Sequence, residues 1–403
     1  MSKSAKNTVR PDALKLMRAV LKKSSRRCAR TIIAVIATVL MLLLTIICDR
    51  IPYSFGNEEF VMKRMQLSDM LIGKEPKPLP DDILAVNISF DRQLTPVFDE
   101  YGLPCGETDV TDRHKLSEFL SIIKDAGYKA IALDIFFNAE TPAEGDTTLI
   151  QQINSMPRLF VPVHSDSHIS PLINKEKQAD GDYVINMITN NFSKYNFVGS
   201  SDKTPFATAL YNAENPGKES KFGLFRNRTM ILPLQIPLKD SYTEEGEKVW
   251  YNLGSDLLDI STADEIKHLA EGKTIIIGDY CLNDIHDSYL GVVSGPCILI
   301  NALTCLRENR NVLNPWSLLI TTAIYFLIAY FLIMNLTLWR LINWEPRPVM
   351  NFILSFIGFG FILSLLQMTH FMLFTEFHDT LFVTFFISLY SIYCQKLNKS
   401  YKI

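Results

Sequence analysis

The stretch TIIAVIATVLMLLLTIIC, from Thr31 to Cys48, decides how this chain is organised. It has no charged residue over 18 positions, close to the roughly 20 residues that cross a hydrocarbon core of about 30 Å. Eleven of these residues are Leu, Ile or Val, whose insertion into a bilayer is favourable. We therefore predict a transmembrane helix here rather than a helix of a soluble core.

Three further apolar segments, 316–339, 349–368 and 379–394, lie near the other end of the chain. We predict that they are three more transmembrane helices and that segment 49–312 folds as one domain outside the bilayer. None of the three carries a charge in its middle, which disfavours a transporter. The first segment lacks a small-residue cleavage site, so we expect a permanent anchor rather than a removable signal.

Charges beside the predicted helices indicate their orientation. Residues 1–30 contain ten Lys or Arg and one acid, and the positive-inside rule places such a segment in the cytoplasm. Loops 340–347 and 395–403 are basic and 369–379 is acidic, which agrees with four crossings. We expect a multi-pass protein of a bacterial inner membrane, with both termini cytoplasmic and domain 49–312 periplasmic or extracellular.

Composition limits the partners of the chain. The formal net charge is −3, with 40 basic and 43 acidic residues, and the basic excess of the N-terminus leaves the exterior domain acidic. A nucleic-acid partner is therefore not expected. Leu14, Met17 and Leu21 recur at helical spacing among basic residues, which predicts either contact with anionic membrane lipid or a solvated basic tail.

Four cysteines fall in the exterior domain: Cys105, Cys281, Cys297 and Cys305. An oxidising exterior permits a disulfide, but the spacings fit no small disulfide framework, and a domain of this size can bury a sufficient core without one. The sequence leaves their pairing open.

The exterior domain alternates between strand and helix patterns. Segments 83–90 and 130–137 are apolar runs typical of buried strands, and 114–126 between them has apolar residues at helical spacing. This βαβ unit predicts parallel pairing and a right-handed crossover. A further strand is predicted at 273–278 and a helix at 296–307. The sequence therefore indicates an α/β extracytoplasmic domain on an α-helical membrane base.

The segment from about 141 to 255 is long, polar and hard to assign. Within it only 229–237, TMILPLQIP, resembles a strand, interrupted by prolines. No internal repeat, low-complexity run or Gly/Ser-rich linker marks a further boundary.

Two segments resemble the CHASE2 family, the extracytoplasmic sensory modules of bacterial receptors. The first runs from Asp82 to Phe137 and closes with AGYKAIALDIFF; the second is GKTIIIGDYCLNDIHDSYLGVVSGPCILINALTCL, from Gly272 to Leu306. The resemblance covers roughly residues 50–395, including the order of anchor, exterior domain and clustered spans. The sequence departs from the family pattern at Asn87, at Gly295-Pro296 and at Asn301.

The resemblance implies a sensory or scaffold subunit. CHASE2 receptors commonly continue into an output domain, whereas this sequence runs nine residues beyond Cys394, so we expect the signal to pass to a separate membrane or cytoplasmic protein. Gly358, Gly360 and Ser364 give the third span a face where backbones can approach closely, which makes a homodimer plausible. The alternatives are an extracytoplasmic enzyme using strand-end carboxylates and a structural envelope assembly protein.

Carboxylates near predicted strand ends are the candidate ligand contacts, since open α/β sheets bind ligands beyond the carboxyl ends of their strands. Asp284 belongs to this group, although aspartates there also cap helices and form turns. The hypothetical ligand-binding set is Asp91, Asp134, Asp279, Asp287 and Asn301.

No catalytic residue, cofactor or metal site is predicted. The sequence contains no Gly-rich phosphate loop, no H-E-x-x-H, no G-x-S-x-G and no paired C-x-x-C. His164 and His168 are four apart, which on a helix could ligate zinc, but the surrounding PVHSDSHISP favours a solvated loop.

Overall fold

The computed structural model describes the chain except for residues 1–10, 52, 55–57, 140–141, 166–168, 187, 200–201, 218–225, 239, 244–245, 290, 335–346, 375, 377, 379 and 401–403. Several sequence predictions therefore lie outside the described residues: those on residues 1–10, His168, the end of segment 316–339, most of loop 340–347, Asp379 and Lys402. The chain divides into two compact units, one built from the chain up to Cys48 and from Asn314 onward, the other from Asp49 to Leu313.

The first unit is helical. Its helices are α1 (Pro11–Arg50), α8 (Pro315–Ile333), α9 (Pro348–Phe374) and α10 (Leu381–Ser400). Among the described residues, three stretches are long and apolar enough to cross a membrane, namely Arg27–Cys48 within α1, α8 and α9. The last turns of α10 contain Gln395, Lys396 and Asn398, which shortens its apolar part, and the fourth predicted span stays a prediction.

Small and hydroxyl side chains join these helices. Asn351 Nδ2 donates to Ser391 Oγ over 3.1 Å, and Ser355 Oγ lies 3.1 Å from the same oxygen. Ser364 instead donates to a carbonyl of its own helix, that of Gly360. Such bonds satisfy polar groups that would otherwise be buried without a partner.

The second unit is built on a parallel sheet. Its strands are β1 (Ile83–Asn87), β4 (Ala130–Asp134), β5 (Leu159–Val163), β6 (Gln178–Asp180), β10 (Tyr251–Asn252) and β11 (Thr274–Gly278). Across the sheet they lie in the order β10-β1-β11-β4-β5-β6. All five residues of β11 are buried. β11 lies between β1 and β4 and pairs with both, so the expected direct pairing of β1 and β4 was wrong.

Helices cover the sheet. On one face, α3 (Arg113–Ile123), α4 (Asp146–Ser155) and α6 (Ala263–Ala270) bury alternate strand residues such as Leu84, Ile131 and Ile275. The intervening positions, including Ala85, Ala132 and Ile276, point to the other face because successive strand side chains alternate. There α5 (Phe206–Glu214) and α7 (Gly295–Arg307) pack on one another and against β4 and β11.

Helix α3 illustrates how the sequence sets these elements. The Asp112 carboxylate accepts hydrogen bonds from the backbone N–H groups of His114 and Lys115, which caps the helix. Leu116, Phe119, Leu120 and Ile123 recur at helical spacing, and all are 0% exposed. The helical periodicity is therefore what seats α3 on the sheet.

Shorter elements surround the sheet. They are helix α2 (Glu58–Leu71), the hairpin of β2 (Arg92–Phe98) and β3 (Pro104–Thr111), the antiparallel strands β7 (Val184–Ile185), β8 (Phe192–Asn196) and β9 (Thr229–Ile231), the hairpin of β12 (Ile285–Ser288) and β13 (Gly291–Ser294), a 3-10 turn at Lys175–Lys177 and a π-helix at Leu253–Leu258. The strand predicted over 229–237 is only three residues long, and the strands predicted over 83–90 and 130–137 end at Asn87 and Asp134. All seven cysteines are free thiols.

Candidate functional site

Three central strands end at the same edge of the sheet. Asn87 of β1 aligns with Gly278 of β11, which in turn aligns with Asp134 of β4. The segments that follow these strands therefore meet beyond the carboxyl edge, the usual position of a ligand crevice in an open parallel sheet.

Asp279 organises the loop that follows β11. Its Oδ1 accepts hydrogen bonds from Ser89 Oγ at 2.5 Å and from Leu282 N at 2.8 Å. Its Oδ2 accepts from Asn283 N at 3.0 Å and from Arg92 at 3.2 Å. Burial by itself raises the pKa of Asp279, but the hydrogen bonds from Ser89 and the backbone N–H groups outweigh it and hold that pKa below its ordinary value. Asp279 is thus a saturated carboxylate that holds the loop in place.

A cavity with two chambers lies beyond this edge. The wider chamber has a volume of about 320 Å³, and its charged lining residues include Arg92, Asp109, Arg113, Asp134, Asp279 and Asp284. The narrow chamber, of about 120 Å³, is lined by Tyr183, Tyr195, Phe206 and His286 among others. Asp134, Pro162, His164 and Asp284 line both chambers, so the two chambers adjoin one another and are described together as one candidate site.

Each arginine of the wider chamber already has carboxylate partners. Arg92 lies 3.2 Å from Asp279 and 3.6 Å from Asp109. Arg113, which is 4% exposed, makes a 2.8 Å ion pair with Asp146. The positive charge of the chamber is therefore largely neutralised by the protein itself.

The Asp134 side chain stands out because no hydrogen bond or ion pair from the described residues reaches it. Burial, and secondarily the nearby Asp284 carboxylate, raises the pKa of Asp134 well above its ordinary value. This is the behaviour of an acid that is poorly solvated and faces a like charge. The Asp134 carboxyl group consequently has unused bonding capacity toward a ligand.

Asp284 is held at the boundary of the two chambers. Its Oδ1 lies 2.8 Å from His286 Nε2, and His286 Nδ1 lies 2.6 Å from the Tyr183 hydroxyl. A Cβ on Gly295 would come within 2.1 Å of Asp284 Oδ2. Only glycine at position 295 therefore leaves room for this carboxylate.

The same hydrogen-bonded group continues toward helix α2. The Tyr183 ring packs edge-on against Phe192 of β8, with centroids 5.4 Å apart. Two residues along β8, Lys194 Nζ lies 3.3 Å from Glu58 of α2 and donates to the Tyr53 carbonyl over 2.9 Å. These contacts, joined through the backbone of β8 between Phe192 and Lys194, connect the cavity to the helix that follows α1 in sequence.

The residues proposed from sequence as ligand contacts occupy different environments. Asp134 and Asp279 line the wider chamber. Asp91 is paired with Lys115 at 2.6 Å and accepts from Gly254 N at 3.0 Å, outside both chambers. Asp287 is exposed on the β12–β13 hairpin, and Asn301 is buried in α7, where it accepts from the backbone of Gln235 and Ile236. Ligand contact by any of the five stays a prediction.

Sequence reasoning missed several residues that line the cavity. Arg92 directly follows Asp91, and His286 lies two positions after Asp284, so the strand-end argument could have included both. Arg113 opens α3 beside the cap at Asp112. Tyr183 and Tyr195 belong to the segment that could not be assigned, and no local pattern marks them. Among the described residues, no group of three or more His, Cys, Asp or Glu side chains is arranged to hold a metal ion.

Comparison with known proteins agrees with this architecture. A family model described as the CHASE2 domain matches residues 64–336, more than half of the chain. No curated protein and no solved structure matches it. CHASE2 domains are extracellular sensory domains, and the parallel α/β unit with candidate membrane helices before and after it is consistent with such a sensor. The chain is therefore a member of the CHASE2 domain family.

Proposed function

We propose that this protein is a membrane-anchored extracytoplasmic sensor whose two-chambered cavity receives a small polar ligand. The observation that carries the proposal is the cavity at the carboxyl edge of the sheet, with the Asp134 carboxyl group, which has no partner among the described residues, in its wall. Concave sites of this kind, with a few convergent polar groups and a perturbed acid, are the usual ligand sites of α/β domains.

Signal transfer in this proposal depends on two arrangements of the domain. A ligand shifts the balance between them only by its difference in affinity for the two. Asp284, His286 and Tyr183 sense the occupied cavity, and Phe192, Lys194 and Glu58 transmit the change to α2. From α2 the change passes to the anchor helix and to a separate membrane or cytoplasmic partner protein.

The proposed location is a bacterial inner membrane, with both termini in the cytoplasm. The charge pattern of the segments beside the apolar helices supports this orientation. A reporter that is active only outside the cytoplasm should work when fused after residue 200 and fail at the C-terminus. Activity of the C-terminal fusion would contradict four crossings.

Hydrogen–deuterium exchange of the full-length chain in lipid nanodiscs tests the transmission. Asp284→Asn should change the exchange rate of the α2 peptides, residues 58–71, because it weakens the bond to His286 at the start of the contact series. Asp287→Asn is the matched control, since Asp287 is on the same hairpin but exposed. Equal α2 exchange in both variants and the parent would overturn the transmission route.

A further inference from the structure

We propose that the narrow chamber binds the ammonium head group of a small organic cation, with the remainder of the ligand in the wider chamber. This inference rests on the proposed function and specifies its ligand class. Three features of the cavity lead to it: the charge of its wall, the aromatic side chains around the narrow chamber and the sizes of the two chambers.

The charge of the wall favours a cation. Asp134 and Asp284 line both chambers, and Asp134 has no hydrogen bond or ion pair from the described residues. The two arginines that could attract an anion are paired with Asp279, Asp109 and Asp146. An anionic head group would lie against two carboxylates, whereas a cation would give Asp134 the partner that the fold leaves out.

The aromatic lining of the narrow chamber provides an independent argument. Tyr183, Tyr195 and Phe206 contribute to its wall, and Tyr195 and Phe206 are each only 4% exposed. The hydroxyl groups of both tyrosines are already engaged, with His286 and with Ala207 N. The rings of these side chains form part of the chamber wall, and aromatic rings combined with carboxylates are a recognised environment for alkylammonium groups.

Chamber size and ligand geometry separate an organic cation from a metal ion. The narrow chamber of about 120 Å³ suits one head group, and the wider chamber of about 320 Å³ lies near the lower limit of ordinary small-molecule pockets. No three His, Cys, Asp or Glu side chains of the described residues are placed to hold a metal ion. An organic ammonium compound of few heavy atoms therefore fits better than Mg²⁺ or Ca²⁺.

Calorimetric titration of the full-length chain in nanodiscs tests the ligand class. The probes are choline, ethanolamine and putrescine, with 3,3-dimethylbutan-1-ol as the uncharged analogue of choline, and MgCl₂ and CaCl₂ in parallel. We expect saturable binding of at least one amine and at least about tenfold weaker binding of the alcohol than of choline if choline binds. Binding of the alcohol and choline with equal affinity, binding of the divalent ions alone, or binding of no amine would overturn the proposal.

Variants locate the binding in the chamber. Asp134→Asn keeps the shape of the side chain and removes its charge, so it should fold and lose at least about tenfold in amine affinity. Asp264→Asn is the control, because Asp264 lies on α6 and lines neither chamber, and its side chain is 98% exposed; the amine affinity of this variant should change less than about threefold. Tyr183→Phe should retain binding and Tyr183→Leu should weaken it, since only the ring is required. Unchanged affinity in Asp134→Asn would place the amine elsewhere.

The two proposals fail in different experiments. The exchange response of α2 to Asp284→Asn requires no added ligand and therefore tests transmission alone. If that response is present and no amine binds, the ligand class is wrong and the sensor remains. If amines bind in the chamber and α2 does not respond to Asp284→Asn, the site is correct and the transmission route is wrong.

Discussion

Lys194 on β8 and Glu58 at the start of α2 form an ion pair in which the Lys194 side chain is 1% exposed and that of Glu58 is not exposed at all. Their Nζ and Oε1 atoms are 3.3 Å apart, and Ser54 also donates to the Glu58 carboxylate over 2.8 Å. Charged groups are rarely so completely buried unless they are paired. This contact connects the segment after the anchor helix to the antiparallel strands of the sensory unit.

Removing one member of this pair should destabilise the exterior unit strongly. In the fragment Asp49–Leu313, Lys194→Met leaves Glu58 buried without its cation, which typically costs about 3 to 5 kcal/mol. Urea unfolding measures the loss. The double variant Lys194→Met/Glu58→Gln should recover part of it, because it removes the uncompensated charge. A double variant less stable than Lys194→Met would mean that the unpaired charge of Glu58 is not what destabilises the single variant.

The same fragment should fold without detergent and unfold as one cooperative unit, because Asp49–Leu313 is compact by itself. Ile276 is 0% exposed and lies in β11 between two paired strands. Ile276→Asp would bury an unpaired charge at a cost of several kcal/mol, against a total stability of roughly 5 to 15 kcal/mol. Circular dichroism should find this variant unfolded, and Ile285→Asp, at a position 45% exposed, folded.

The pH dependence of stability should report on Asp134. Its folded pKa is raised above the ordinary value of 3.8, so between these two values the folded fragment binds the proton more tightly than the unfolded chain. The contribution of Asp134 to the free energy of unfolding is therefore most favourable at low pH. It falls as pH rises from the ordinary pKa to the raised one, by up to about 1.4 kcal/mol per pH unit. Asp134→Asn abolishes this loss.

Unfolding curves of the two proteins from pH 4 upward make the comparison. The advantage of Asp134→Asn over the parent should grow as pH rises. Other titratable groups in or beside the cavity are present in both proteins and largely cancel in the difference. Those that line it are Asp109, Asp279, Asp284, His164, His286, Tyr183, Tyr195, Arg92 and Arg113, and Asp180 and Asp182 lie beside it. A constant difference at all pH values would mean that Asp134 titrates normally.

Two glycines of α9 allow a test of association between copies. A Cβ on Gly360 would lie 3.6 Å from Thr384 Cγ2 of α10, whereas a Cβ on Gly358 would meet nothing within 4 Å. Gly360→Leu should therefore lower the melting temperature in detergent by disturbing helix packing within the chain. Gly358→Leu should leave it unchanged. If copies associate through the face of α9 that contains Gly358, as we propose, Gly358→Leu should reduce the yield of cross-linked dimer in membranes. An unchanged yield would count against that face.

Local sequence patterns were sufficient for the elements of the fold but not for their neighbours. The buried runs at β1, β4 and β11 were recognisable because nearly every residue is apolar, as expected for strands covered on both faces. The position of β11 between β1 and β4 was not recognisable, since that pairing joins segments far apart in the chain. Periodicity identifies a strand but contains no information about which strand lies beside it.

The candidate site was predictable to a similar extent. Asp134 and Asp279 could be identified because Asp134 closes a recognisable strand and Asp279 directly follows one. Whether a carboxylate is available to a ligand depends on contacts made after folding: Asp279 is saturated by hydrogen bonds, and the described residues give Asp134 none. Tyr183 lies directly before the short strand β7 and Tyr195 lies within β8, both in a polar segment, and only the tertiary fold brings them to the chamber.

The insertion of β11 between β1 and β4 also has a consequence for biosynthesis. β4 ends at Asp134 and β11 at Gly278, so at roughly 5 to 20 residues per second the ribosome completes the second strand roughly seven to thirty seconds after the first. During that interval β1 and β4 each lack a neighbour, and apolar strand edges of this kind are prone to aggregate. The nascent domain therefore exposes these strand edges until its last central strand has been made.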